Sequence, residues 1–223
     1  MKGLFITSTG TEIGKTLVTA TLCHQLKSAG KPVAAIKPII SGVTDNTMDG
    51  SDTALIAASL GLPMTSNVVE RISPFRYKAP LAPTMAAVLE GRALDYEDLI
   101  RTCRIAMAEN QFTLVEGVGG SFVPLTGDRL VADWIKDLGL ESLLVVGSYL
   151  GTISHTIATL EAMRARGLVI RAIVISESAG DNPDLIKTAN EIRQLTGLEV
   201  STIPRLPIIP EPWTVAPDLT HLL

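Results

Sequence analysis

Short runs of apolar, β-branched residues alternate along the chain with longer stretches in which apolar residues recur every three or four positions. Gly3-Leu4-Phe5-Ile6-Thr7 opens the series as a strand, and a helix follows at 14–29 with Val18, Leu22 and Leu26 on its core face. A second apolar run at 33–39 comes after the turn at Gly30 and reads as one strand that includes Pro38. Further strands are expected at 113–116, 142–146, 170–175 and 200–203, each a continuous apolar run of the kind buried on both faces. The clearest of the later helices is 96–110, where Tyr96, Leu99, Ile100, Cys103, Ala106 and Met107 form one stripe behind an Asp95 cap, with Asp98 at the third helical position. Shorter helices are expected at 53–60, at 84–89 and near 182–196.

Strand and helix in this alternation predict an α/β fold of three layers, αβα: a mostly parallel, twisted sheet with helices on both faces. In such folds ligands bind outside the carboxyl ends of the strands, so chemistry is to be sought directly after each strand. The stretch 142–160 holds no Asp, Glu, Lys or Arg, but Gly147, Ser148, Gly151, Thr152, Ser154, His155 and Thr156 interrupt it. A buried strand turning into a helix accounts for it better than a membrane span.

Composition narrows the partners. The 223 residues carry a formal net charge of -4 with no cluster of Lys and Arg, and aromatics make up only 4%, which argues against a nucleic-acid partner. With 46% hydrophobic residues the chain is expected to fold as a single domain, 1–223, with a full core. Cys23 and Cys103 share no metal-ligand spacing and read as reduced core residues. His24, His155 and His221 show no ligand spacing either, and Trp134 and Trp213 read as packing residues. The apolar run within Met1 to Thr7 is too short for a signal peptide, so a cytoplasmic location is expected.

After the first strand comes Ser8-Thr9-Gly10-Thr11-Glu12-Ile13-Gly14-Lys15-Thr16, which opens the first helix. Its Gly-Lys-Thr end is that of a phosphate-binding loop: backbone N–H groups at a helix start face an anion, Lys15 adds charge, and the Thr16 hydroxyl suits a nucleotide's magnesium. The strict pattern fails at its first glycine, where Thr9 stands. Lys37 sits in the apolar run Ala34-Ala35-Ile36-Lys37-Pro38-Ile39, where a lysine needs a partner. Glu116 ends the apolar strand before Gly117-Val118-Gly119-Gly120, a position suited to the metal of a bound nucleotide. Asp52 reads in isolation as the N-cap of the helix 53–60.

Taken in order, several segments resemble the dethiobiotin synthetase family of the P-loop NTPase superfamily. They are Thr11-Glu12-Ile13-Gly14-Lys15-Thr16, Lys37-Pro38-Ile39-Ile40-Ser41-Gly42, Ser51-Asp52, Pro80 to Pro83, Val115-Glu116-Gly117-Val118-Gly119-Gly120, Ala132-Asp133-Trp134 and Val145-Val146-Gly147 with Leu150-Gly151. The resemblance runs to about Glu211 and implies a cyclo-ligase that forms carbon–nitrogen bonds. Its substrates would be 7,8-diaminononanoate, carbon dioxide or bicarbonate, and ATP with Mg2+, and its products dethiobiotin, ADP and phosphate. By the same resemblance Lys37 would be catalytic together with Lys15, and Thr16, Asp52 and Glu116 would hold Mg2+. Thr11 and Ser41 would contact the diamine or its carbamate, and Gly119 would permit a close backbone approach.

The implied nucleotide site comprises Glu12, Ile13, Gly14, Lys15, Thr16, Leu17, Asp52, Glu116, Gly117, Val118 and Gly119. Ser176, Glu177, Pro204, Arg205, Leu206 and Glu211 would meet the nucleoside. Ser8 stands where the family usually has Gly, Gly10 where it has Asp, and Ser176 where it commonly has Asn. A homodimer with sites at its interface is implied as well, the helix near 182–196 contributing across the two-fold. The rival is a dimeric P-loop ATPase switch of the partitioning type, but residues 8–14 lack the extra lysine such switches usually carry.

Overall fold

The computed structural model describes residues 3–223; Met1 and Lys2, at the head of the segment judged too short for a signal peptide, lie outside the described residues. The first half of the chain runs β1 (Gly3–Ser8), α1 (Lys15–Ser28), β2 (Ala34–Ile36), β3 (Ile39–Ser41), α2 (Asp52–Ser59), α3 (Ser66–Ile72), β4 (Phe75–Tyr77) and α4 (Pro83–Leu89). The second half runs α5 (Tyr96–Glu109), β5 (Thr113–Glu116), α6 (Val131–Leu138), β6 (Ser142–Gly147), α7 (Thr152–Ala165), β7 (Ile170–Ser176), α8 (Leu185–Thr196) and β8 (Glu199–Ile203). Six strands form one parallel sheet in the order β2-β5-β1-β6-β7-β8. The expected three-layer αβα architecture is the one observed.

The reason lies in the strands. Leu4 and Ile6 of β1, Leu114 of β5, Leu143 and Val145 of β6 and Val174 of β7 face one core, shared with Val18 and Leu22 of α1. Their neighbours Phe5, Val115, Leu144, Val146, Ile173 and Ile175 face the other, shared with α5, α6 and α8. A strand apolar at every position has to be covered on both faces, and helices supply both covers. Phe5 meets Trp134 of α6 edge to face, ring centroids 4.8 Å apart, and both side chains are fully buried. The uncharged stretch 142–160 is β6 turning into α7, and among the described residues no helix is long and apolar enough to cross a membrane. Cys23 and Cys103 are buried free thiols, each pushed up to about 12 by that burial.

The run 33–39 differs from its reading as one strand. It breaks at Lys37-Pro38 into β2, on the edge of the main sheet, and β3, which pairs in parallel with β4 as a separate two-stranded sheet. Proline has no N–H for a ladder, and the Lys37 N–H turns away to the Ile72 carbonyl at 2.9 Å. Hydrophobicity runs through the break because both halves are buried, which is why the apolar pattern alone does not reveal it.

With the order β5-β1-β6 at its centre, the sheet brings the loops after β1, β2, β5, β6 and β7 to one end. Trp134→Ala should lower the unfolding free energy by about 3–5 kcal/mol, read as a drop in denaturant midpoint, because it empties a fully buried site.

Candidate active site

The loop between β1 and α1 wraps an open helix start. Gly14 sits at φ 94 just before the helix, where no side chain caps the first turn and no acid lies within it, so the N–H groups there are left for an anion. A Cβ at Gly14 would also come within 2.5 Å of the Ser176 hydroxyl, so both the backbone angle and the neighbour demand glycine. Lys15, 6% exposed, extends from the helix and donates to the Ser8 hydroxyl at 3.2 Å and the Gly10 carbonyl at 3.4 Å.

Beside it lies a second buried lysine. Lys37 follows β2 at the carboxyl end of the sheet and its Nζ stands 2.7 Å from both Asp52 Oδ2 and Glu116 Oε1. Glu116, at the end of β5, is wholly buried and uses both oxygens: Oε1 also accepts from Thr16 Oγ1 at 2.7 Å, and Oε2 accepts from Thr19 Oγ1 at 2.6 Å. A buried carboxylate with this set of donors is satisfied. Asp52 is not the N-cap of α2. Ser51 takes that place, accepting from the Ala54 N–H, and Asp52 begins the helix with its carboxylate turned to Lys37 and its side chain 40% exposed.

Charges this close shift one another. Burial alone would lower the Lys37 ammonium, but Glu116 and then Asp52 reverse that and hold it above the ordinary lysine value. Burial favours the neutral Asp52 carboxyl, yet the Lys37 ammonium outweighs it and keeps the group below the usual carboxylate range. For Lys15, burial and then the like charge of Lys37 bring the ammonium down to about 8.

Two further features complete the site. The loop after β5 folds back on the phosphate loop: a Cβ at Gly120 would lie 3.2 Å from the Thr9 and Gly10 backbone, and the Ser8 hydroxyl reaches the Gly119 carbonyl at 3.0 Å. Gly119 itself takes a left-handed φ of 58, and a Cβ there would lie 2.6 Å from the Val123 side chain and 3.4 Å from the Thr11 hydroxyl. Farther along α1, a cleft of about 320 Å3 is lined by Thr16, Leu17, Ala20 and Leu55 on one side. Ser176, Glu177, the 204–209 segment, Pro212 and Trp213 line the other. The Glu177 carboxylate accepts from the Arg205 N–H at 2.6 Å, which ties that segment to the end of β7.

The expected residues therefore gather in two places. Thr16, Lys37, Asp52 and Glu116 are joined by direct contacts with Lys15 near enough to feel their charges, whereas Leu17, Ser176, Glu177, Pro204, Arg205 and Leu206 line the cleft, which Thr16 also borders. Thr11 and Glu12 are exposed on the loop, Ile13 is half-buried there, and Glu12 takes a φ of 57 that is uncommon for a residue with a side chain. Gly117 and Val118 continue from β5, and Ser41 ends β3 half-buried. Glu211 does not line the cleft; it precedes the short turn at Pro212–Val215 and its carbonyl accepts from Thr214. A larger hollow of about 600 Å3 runs along the free edge of β2, and no residue of either group lines it.

Comparison with known proteins decides the family. The sequence pattern described as an AAA domain matches residues 2–212. ATP-dependent dethiobiotin synthetase BioD of Methylobacterium nodulans is 42% identical over 92% of this chain and 94% of that protein. This chain belongs to the dethiobiotin synthetase family. The protein of the same name from Caulobacter vibrioides is 46% identical over 86% of this chain and 87% of its own length. Among solved structures, a ParA family ATPase from Chlorobium tepidum superposes with a TM-score of 0.54 at 18% identity, covering 92% of this chain and 85% of its own. The MinC:MinD complex from Aquifex aeolicus gives 0.56 at 16% identity, over 93% of this chain and 83% of that one. Likeness at those identities is one of fold.

Within this synthetase-family site, Thr19 and the part of the cleft wall formed by Pro207, Ile208, Ile209, Pro212 and Trp213 escaped the sequence reading. Thr19 had a usable signal, since it lies three residues beyond Thr16 on the same helical face and so meets the same acid. Trp213 packs against the core at 2% exposure, as expected, but also borders the cleft.

Lys15 gives a test of the electrostatics. Its ammonium is lowered in the folded state, so the unfolded chain binds the extra proton between about pH 8 and the ordinary lysine range, and stability should rise with pH there. Lys15→Met should be more stable than the parent at pH 7, and its advantage should shrink between pH 8 and 10, as read from denaturant midpoints of the two proteins side by side.

Proposed function

We propose that this chain is an ATP-dependent dethiobiotin synthetase that closes the ureido ring of dethiobiotin on 7,8-diaminononanoate, with ATP as co-substrate. The observation that carries the reading is Lys37, a buried ammonium held between Asp52 and Glu116 and next to the phosphate-loop lysine, in a chain of this family. One amine of the diamine takes up carbon dioxide as a carbamate and loses a proton. A carbamate oxygen attacks the γ-phosphate, ADP departs, and a carbamic-phosphoric anhydride remains. The second amine then attacks the carbonyl carbon and loses a proton as the C–O bond to phosphate breaks, phosphate leaves, and the ring is closed.

The difficult encounter is that of two anions, carbamate and triphosphate, in a site poor in water. Lys15 and the open start of α1 bind the phosphates, and Lys37 neutralises the attacking carbamate and the phosphoryl group in transfer. Thr11 and Ser41 contact the diamine or its carbamate. Glu12, Ile13, Gly14 and Leu17, with the Gly117-Val118-Gly119 backbone, frame the nucleotide, and the cleft of Ser176, Glu177, Pro204, Arg205 and Leu206 takes its base, with Glu211 at the margin.

The donor set also fits Mg2+. Two carboxylates, Asp52 and Glu116, share the Lys37 Nζ, the Thr16 hydroxyl lies against the Glu116 Oε1 atom of that pair, and hard oxygen donors are what magnesium takes. The two lysines balance the two carboxylates, so the charge of an arriving triphosphate calls for a further cation. Thr16, Asp52 and Glu116 would hold the ion, which supplies charge neutralisation at the phosphates.

Residues 1–223 act as a single domain in this reading, in the cytoplasm, as a homodimer with sites at its interface. Exposed Met85, Val88 and Leu89 on α4 offer apolar surface to such a contact.

The test is dethiobiotin formation and phosphate release by the purified protein given MgATP, bicarbonate and 7,8-diaminononanoate, with each component omitted in turn. Product should require all of them, and ATP hydrolysis indifferent to the diamine would point to the switch-type ATPase instead. In the same assay Lys37→Ala should lower kcat by about 100-fold or more while KM for ATP changes by less than about threefold.

A further inference from the structure

We infer that Gln25 is a positioning residue for nucleotide binding, acting through the chain segment that walls the base cleft. This rests on the reading of that cleft as the nucleoside site. Gln25 lies on α1, ten residues beyond Lys15 and so about 15 Å along the same helix. Its side-chain amide uses both of its ends on one partner: Nε2 donates to the Pro217 carbonyl at 2.8 Å, and Oε1 accepts from the Leu219 N–H at 2.9 Å. Two bonds to backbone groups two residues apart fix both the place and the direction of the strand of chain they hold.

What they hold is the continuation of the cleft wall. The segment after β8 enters the cleft at Pro204, is tied at its front by the Arg205 N–H to Glu177, and passes through a fully exposed Ile208. It leaves at Pro212 and Trp213, and then crosses α1 to Gln25. Between those two ties the segment's hydrogen bonds are local, such as the Ile209 N–H to the Pro207 carbonyl and the Thr214 N–H to the Glu211 carbonyl. The rear of the wall is therefore set by Trp213, by the buried Leu219 and by the Gln25 clasp. Farther on, Arg171 Nε donates to the Leu222 carbonyl at 2.6 Å, securing the tail beyond the clasp.

One helix thus bears the phosphate loop at its start and the anchor of the base wall three turns later. Releasing the anchor should loosen the base wall and leave the phosphate end intact, a separation that general loss of structure does not produce.

The experiment compares two probes, ATP and inorganic tripolyphosphate, on the parent protein, Gln25→Ala and Gln25→Glu, by calorimetric or competition binding with magnesium present. Gln25→Ala should weaken ATP about tenfold and raise KM for ATP to match, while tripolyphosphate affinity and kcat stay within about twofold. Gln25→Glu, which keeps the acceptor for Leu219 but turns a carboxylate oxygen toward the Pro217 carbonyl, should lie between the two or match Gln25→Ala. It also gives the readout if Gln25→Ala does not fold. Equal weakening of ATP and tripolyphosphate, or unchanged ATP binding in both variants, would overturn the role of Gln25. Failure of the parent to bind ATP more tightly than tripolyphosphate would instead overturn the reading of the cleft as the nucleoside site.

Discussion

A fully buried carboxylate, Glu116, organises this molecule. Left alone in the core it would cost several kcal/mol, so the fold has to bring it positive charge and hydrogen-bond donors. Thr16 and Thr19 arrive from α1, Lys37 from the broken end of β2, and Asp52 shares the same ammonium from the start of α2. Three otherwise separate parts of the chain are thereby held to the end of β5. Most of the groups proposed to carry the chemistry are also those that satisfy the acid, so the site is firm because its charges are mutually compensated.

The compensation also explains two local oddities. The strand broken at Lys37-Pro38 releases the lysine from the sheet ladder at the place where it can reach the acid. The helix that begins at Asp52 takes its cap from Ser51, which leaves the aspartate free to face the lysine. In both places the side chain that carries charge is excused from a backbone duty that a neighbour performs.

Much of this was legible in the order of residues. Continuous apolar runs placed the six strands of the main sheet because burial on both faces leaves no polar alternation to confuse, and Gly14-Lys15-Thr16 between strand and helix marked the phosphate loop. Lys37 and Glu116 stood out as charges in apolar surroundings. The division of 33–39 was hidden, since hydrophobicity is continuous across it and the β3 partner, β4, lies more than thirty residues on. Asp52 was ambiguous because a cap and a salt-bridge acid look alike in one dimension. Gln25 carried no signal at all: its partners are backbone groups, which every residue has, at the far end of the chain.

The 204–213 wall comes from chain that follows the last strand, whereas the phosphate loop follows the first. During synthesis, every strand of the sheet and the loop that opens α1 are made before the cleft has its second side. In the proposed reading, the part that would hold phosphate therefore precedes, in order of synthesis, the part that would tell one nucleotide from another.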